Sequence, residues 1–217
     1  MSLAEMLDRL VADQVQAQLP CVTIGRQIIV LEQTGSTNDA ILEVATANLT
    51  EGLVLFAEHQ TAGRGQRGNR WESAAGKGLW FSMLLRPRIQ VNDSGRLTIW
   101  AIEAISDVIR TEFSLEPTVK LPNDVQLCRR KVAGVLVEMR AQEKAPHLAV
   151  VGVGINVNQS LEDFPPELQS KATSLAMAVH RPVDRQQLAI AVLRHLDRTY
   201  HERFTAPPRS TPTAATL

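Results

Sequence analysis

Apolar residues at positions 3, 6, 7, 10, 11 and 15 recur with a helical period and predict an amphipathic helix over about residues 3–18. RQIIVLEQ then reads as a strand, and NDAILEVATAN as a helix opened by the caps Ser36 and Thr37. LVLFAEHQ reads as a second strand. A loop rich in glycine and polar residues follows over 61–77, and GLWFSMLLRP beyond it alternates like a half-buried strand that Pro87 stops. RLTIWAIEAISDVIRTEF has the period of a long helix. After it come TVKL, DVQLC, KVAGVLVEMRA and HLAVVGVGINV, four strand-like runs rich in Val, Ile and Leu. ATSLAMAV and RQQLAIAVLRHLDRTYHERF return to helix. Helices mixed with strands, then four strands in series, then closing helices predict an α+β fold: one mixed, largely antiparallel sheet with helices packed on it. From Thr205 on, TAPPRSTPTAATL has almost nothing to bury and reads as a disordered tail.

Length and charge narrow the function. A chain of 217 residues, 44% apolar, holds one sizeable core. Lys+Arg and Asp+Glu both total 23, which gives no overall electrostatic reason to bind nucleic acid or an anionic membrane surface. A basic site must therefore be local. The acidic, amphipathic start is unlike a signal peptide, and the longest apolar run, LAVVGVGI, is too short to span a bilayer. Cys21 and Cys128 have neither disulfide-framework nor metal-ligand spacing, so a reducing, cytoplasmic setting fits best.

AGRGQRGNRW, residues 62–71, has glycines at 63, 65 and 68, the G-x-G-x-x-G spacing of a dinucleotide fold. That fold needs a strand before the glycines and a helix after them, so that the helix N-terminus faces a pyrophosphate. The strand is there, but the chain continues NRWESAAGKGLWFSM into another strand pattern, which excludes the fingerprint. A helix carrying Arg64, Arg67 and Arg70 on one face is equally poor, since each interior glycine costs roughly 0.8–1 kcal/mol relative to alanine. Two readings stay open: an ordinary flexible loop, and an anion cradle in which glycines let backbone approach a ligand and arginine forks orient a phosphate. Trp71 anchors the far end of the loop to the core in either case.

VKLPNDVQL holds Lys120, Asn123 and Asp124 around Pro122, which is a plain turn between strands or a polar site. Lys131 stands at the mouth of an otherwise apolar strand that carries Gly134 inside it. In-strand glycines often mark a bulge or a close approach, and Gly152 and Gly154 beside Asn156 repeat the signal. The chain has 18 arginines against five lysines, and two of those five are Lys120 and Lys131. A compact ammonium serves as a point charge where a guanidinium is too bulky, which adds weight to the functional reading. Gln60 ends the strand that leads into the glycine loop, where its amide can read a polar head group.

Taken in order, GSTNDA, EHQTAGRGQRGNRW, GLWFSMLLRP, VKLPNDV, RKVAGVLVE and VGVGINVN resemble the catalytic domain of biotin-protein ligases (biotin-[acetyl-CoA carboxylase] ligases) over about residues 30–204. The resemblance implies a class II aminoacyl-tRNA synthetase/biotin ligase-like fold, a mixed sheet with helices on one side. Residues 1–29 would be a helical lead-in and 205–217 the tail. It implies two steps: biotin and ATP, with Mg²⁺, give biotinyl-5′-AMP, and a lysine of a biotin carboxyl carrier domain of acetyl-CoA carboxylase then takes the biotinyl group. By the same resemblance Ser36, Thr37, Asn38, Gln60, Gly63, Arg64, Gly65, Gln66, Lys131, Gly134, Gly152 and Gly154 line the biotin site. Arg64, Arg67, Trp71, Lys120, Asn123, Asp124, Lys131 and Asn156 fall to the nucleotide. Lys131 and Arg64 take catalytic roles, and Asp124 assists deprotonation of the carrier lysine and stands beside the Mg²⁺ brought by ATP, with no metal held by a protein cluster.

Many members carry arginine where this chain has Gln66, and tryptophan where it has Leu121, so looser retention of the adenylate is expected. About 30 residues precede the first motif, too few for a DNA-binding winged helix, and the tail is too short for the small β-barrel that often ends the family. Repressor activity, nucleic acid and membrane are therefore not expected, while a homodimer paired through sheet edges is compatible with the resemblance. The competing functions are a lipoate-type ligase or acyltransferase, and a biotin-binding relative that no longer transfers.

Overall fold

The computed structural model describes residues 9–20, 23–45, 51–143 and 146–205. Seven strands form one sheet: β1 (Gln27–Thr34), β2 (Leu53–Gln60), β3 (Gly78–Leu85), β4 (Thr118–Lys120), β5 (Asp124–Leu127), β6 (Arg130–Arg140) and β7 (Leu148–Asn156). Their spatial order is β1-β2-β3-β7-β6-β5-β4. Only β1 and β2 pair in parallel, and every other neighbour pair is antiparallel. The five α-helices among the described residues are α1 (Ala12–Ala17), α2 (Thr37–Val44), α3 (Gly95–Phe113), α4 (Leu175–Val179) and α5 (Arg185–Tyr200). The fold is α+β, as the order of the sequence patterns requires.

Alternation along each strand sorts the core into two faces. Val54 and Phe56 of β2, Phe81 and Met83 of β3, and Val151 and Val153 of β7 pack into the main core with α3 and α5. Leu53, Leu55, Leu84 and Val150 point the other way and meet Ala40 and Ile41 of α2. The resemblance implied helices on one side of the sheet; α2, the crossover between the parallel strands, lies on the opposite side. Next to α2 that second face continues over glycines rather than large side chains, and there the sheet stays open.

Three elements differ from the sequence pattern. All eight residues of β3 are buried, so it is not the half-buried strand its alternation suggests: it lies between β2 and β7, with α5 under one face and α2 over the other. Of the ATSLAMAV helix only Leu175–Val179 is helical, because Ala172 bridges to Lys131 and the Ser174 side chain caps the Met177 amide. The last helix ends at Tyr200, and a π-helical turn, His201–Thr205, seats Phe204 against Trp100 and Tyr200. The predicted N-terminal helix is helical only over Ala12–Ala17, with the described residues 9–11 ahead of it non-helical and Val11 extended at the N-cap; residues 1–8 lie outside the described residues, as do 46–48 of the second predicted helix and 206–217 of the tail. No helix among the described residues is long and apolar enough to cross a membrane.

Candidate active site

Three glycines set side by side make the floor of the site. Gly134 of β6 pairs with Gly154 of β7, while Gly152 pairs with Leu136 of β6 and Ser82 of β3. An ideal Cβ on Gly152 would stand 2.2 Å from Asn38 Oδ1, and one on Gly154 2.5 Å from the indole of Trp71. One on Gly134 would meet the same indole at 2.8 Å and the Lys131 Cε at 2.9 Å. These glycines serve close approach: what lies against the sheet is the chain's own Asn38, Trp71 and Lys131. They leave a cavity of about 40 Å³, room for a few waters. Its lining includes Ser36, Thr37, Asn38, Gln60, Arg64, Gly65, Trp71, Asn123, Lys131 and the three glycines.

The glycine–arginine loop is a closed turn with no helix behind it. The Gly65 amide donates to the Asn69 carbonyl at 2.7 Å and the Trp71 amide to the Gly63 carbonyl at 2.9 Å. Between them sits a 3₁₀ turn, Gln66–Gly68, in which Arg67 takes φ 58°. A Cβ on Gly63 would lie 2.6 Å from the Trp71 carbonyl oxygen, so this glycine closes the loop and does not line the cavity. Of the three arginines only Arg64 reaches the floor. Its Nη2 meets Asp39 Oδ1 and Glu138 Oε2, each at 2.9 Å. Arg70 donates to the Thr61 carbonyl, while Gln66 and the exposed Arg67 line neither this cavity nor the next.

Polar side chains form a continuous row along the wall. Gln60 Nε2 donates to Ser73 Oγ at 3.1 Å, and its Oε1 accepts from the Thr37 amide at 2.9 Å and from Thr37 Oγ1 at 3.2 Å. Ser82 Oγ lies 2.8 Å from Thr37 Oγ1 and 2.6 Å from Asn38 Oδ1. Asn38 Nδ2 donates to Glu138 Oε2 at 2.6 Å. The cap of α2 is thus corrected: Ser36 occupies the N-cap position without a side-chain bond, and Gln60, 23 residues from Thr37, accepts the helix amide instead. Sequence reasoning missed Ser82, Asp39 and Glu138. For two of them a signal existed: Ser82 is the lone polar residue of a buried strand, and Glu138 the lone carboxylate of β6.

A second cavity adjoins the first and shares Trp71 and Lys131 with it. Lys131 Nζ stands 2.6 Å from Asp124 Oδ1 and 5.0 Å from the centroid of the Trp71 ring. Its backbone is held from the other side, where the Lys131 amide donates to the Lys171 carbonyl and its carbonyl accepts from the Thr173 amide. Lys120, Asp124 and Asn156 line this cavity, and Asn156 Nδ2 donates to the Thr173 carbonyl at 3.0 Å. Asn123 follows the cis Leu121–Pro122 bond and donates from Nδ2 to the Val135 carbonyl. Arg70, Lys120, Arg129, Lys131 and Lys171 face only Glu72 and Asp124 here. Five cations against two carboxylates suit a polyphosphate, although the chain as a whole has no net charge. Among the described residues no group of three His, Cys, Asp or Glu side chains gathers as a metal site.

Residues 30–156 match the model of the Biotin/lipoate A/B protein ligase family. Over 197 residues the chain is 34% identical to the bifunctional ligase/repressor BirA of Bacillus spizizenii, covering 91% of this chain and 61% of that protein. It is 38% identical over 178 residues to the biotin–[acetyl-CoA-carboxylase] ligase of Mycobacterium tuberculosis, covering 79% of this chain and 63% of that one. The chain thus spans about three fifths of the length of these curated relatives. Among solved structures, the biotin protein ligase of Aquifex aeolicus in complex with biotin and ATP superposes with a TM-score of 0.69 at 30% identity, over 82% of this chain and 73% of that one.

Proposed function

The chain belongs to the biotin/lipoate A/B protein ligase family, and from that premise we propose that it activates biotin with ATP as biotinyl-5′-AMP and transfers the biotinyl group to a lysine of a biotin carboxyl carrier domain. The observation that carries this reading is the convergence at Lys131: a glycine-floored, amide-lined cavity on one side of its ammonium and an excess of cations on the other. The names of the relatives support the same substrates, with acetyl-CoA carboxylase supplying the carrier.

In the first step a carboxylate oxygen of biotin attacks the α-phosphorus of ATP, and the bond to the β,γ-pyrophosphate breaks. The carboxylate is already ionised at neutral pH, so the step needs positioning and charge stabilisation rather than a base. Ser36, Thr37, Asn38 and Gln60 hold the neutral body of biotin over Gly152 and Gly154. Lys131 turns from Asp124 toward the carboxylate and α-phosphate, and Arg64 faces the same charge. Lys120, Asn156 and Trp71 take the nucleotide, while Asn123, which the sequence resemblance gave to the nucleotide, lines the first cavity and is held by the Val135 carbonyl. ATP arrives as its Mg²⁺ complex; Asp124 is the carboxylate that would stand beside the ion, which would offset phosphate charge. A cavity of 40 Å³ does not admit biotin, so Trp71 and its loop lift from the floor as the ligand enters. In the second step the carrier amine attacks the acyl carbon, AMP leaves, and Asp124, released from Lys131, receives the amine's proton. The reading places the protein in the cytoplasm and allows two copies to pair through an end strand of the sheet, β1 or β4.

Incubating the chain with MgATP, biotin and a carrier domain, and following the mass of the carrier, tests this reading. A gain of one biotinyl group is expected, and Lys131→Ala should abolish both that gain and biotin-dependent pyrophosphate exchange. Transfer of lipoate in place of biotin, or biotin binding without any exchange, overturns it.

A further inference from the structure

Glu138 lies on the same face of β6 as Gly134 and Leu136, at the end of the polar row and beside the floor. A single oxygen, Oε2, accepts from Asn38 Nδ2 at 2.6 Å and from Arg64 Nη2 at 2.9 Å. Both ends of the Asn38 amide are thereby assigned, because its Oδ1 accepts from Ser82 Oγ on the other side. The amide cannot turn over without setting its oxygen against the Glu138 carboxylate, which can only accept, and it is the group that fills the space above Gly152. Arg64 is tethered through Nη2 alone, to Asp39 and Glu138; among the described residues its Nη1 and Nε make no hydrogen bond, so three N–H donors remain for an anion.

The ion pair with Arg64 does not account for this carboxylate through fold stability. The side chains of Glu138 and Arg64 are 38% and 41% exposed, and an ion pair in that setting contributes little to folding. A negative charge beside a guanidinium meant for an anionic substrate also works against binding by charge alone. What the arrangement supplies is geometry: one atom fixes, relative to each other, an amide that lines the ligand cavity and a guanidinium that faces its charge.

Resting on the ligase reading above, we propose that Glu138 is a positioning residue for biotin activation, registering the Asn38 amide against the Arg64 guanidinium. Glutamine at this position keeps an acceptor for Asn38 but no charge for Arg64, so the two halves of the role separate. Pyrophosphate exchange measured against biotin and ATP in Glu138→Ala should show the biotin KM raised roughly ten- to a hundredfold together with a reduced kcat, the loss of hydrogen bonds to a charged group. In Glu138→Gln the biotin KM should return to within about threefold of the wild type while kcat stays down by about tenfold. Thermal unfolding of Glu138→Gln should match the wild type, while Glu138→Ala, which leaves the buried Asn38 amide without its acceptor, should melt somewhat lower. Equal losses in the two variants, or KM and kcat unchanged in both, overturn the proposal while leaving the ligase reading intact. Absence of biotin-dependent exchange in the wild type overturns the ligase reading and this proposal with it.

Discussion

Gln66 opens the 3₁₀ turn directly after Gly65, whose backbone lines the cavity, yet its own side chain reaches neither cavity. Arginine there would bring a second guanidinium to the loop that already carries Arg64. On the proposed function, we therefore expect Gln66→Arg to slow dissociation of biotinyl-AMP, by about tenfold for one charge-assisted hydrogen bond; equal release rates in a rapid-dilution measurement would refute it. At this scale the sequence was informative where residue types are scarce or chemically blunt. Lys131 and Arg64 stood out for those reasons, and both meet at the floor. Contacts made across the fold were not legible. Gln60 and Glu138 act on Thr37, Asn38 and Arg64 from 23 to 100 residues away, and local patterns such as helix caps do not encode partners at that separation.

Elements bounded by glycine or proline were read most sharply. Leu53–Gln60 begins after Gly52, stops at the glycine loop and forms β2 over those residues. The glycine loop itself needed only the missing helix to be separated from a dinucleotide fold. The strand Gly78–Leu85 was misjudged because alternation reports one buried face, and a central strand has two. One tether at this scale depends on pH. Lys77, just before β3, bonds Asp163 at 2.6 Å, and Asp163 also accepts from the Ser160 amide. Burial pushes the Asp163 carboxyl up, but the hydrogen bonds from Lys77 and Ser160 outweigh it and hold the group below the ordinary aspartate value of 3.8. A depressed folded pKa means that the stabilisation is complete above that value and is lost as pH falls through it toward the folded one. Asp163→Asn should lower the melting temperature near neutral pH and flatten the acid limb of the stability profile. An unchanged acid limb would show that the tether does not contribute.

At the scale of the whole molecule, a buried ion pair joins distant parts of the described chain. Arg185, at the start of α5, meets Glu58 of β2 at 2.7 Å, with side chains 2% and 9% exposed. Arg185 also donates to the Gly78 carbonyl, and the other Glu58 oxygen accepts from the Leu10 amide. The first described residues, the middle of the sheet and the last helix are thereby tied at one point. Replacing Arg185 with Met strands a buried carboxylate, and we expect a loss of about 3–5 kcal/mol in chemical denaturation; a loss under about 1 kcal/mol would mean that Glu58 finds another partner. Fold class was legible at this scale because the order of elements limits how a sheet can close, whereas the side on which α2 packs was not, since an amphipathic helix fits either face of a sheet.

The floor of the site has a consequence for how this protein can change. Glycine is the smallest residue, so every substitution at 134, 152 or 154 adds atoms and none removes any. The floor can be raised but never lowered, and a Cβ at 152 or 154 already falls within 2.5 Å of a neighbouring side chain. Any history or design that widens the accepted ligand must therefore work from above, through Asn38 and Trp71, while mutation from below only makes the cavity more exclusive or closes it.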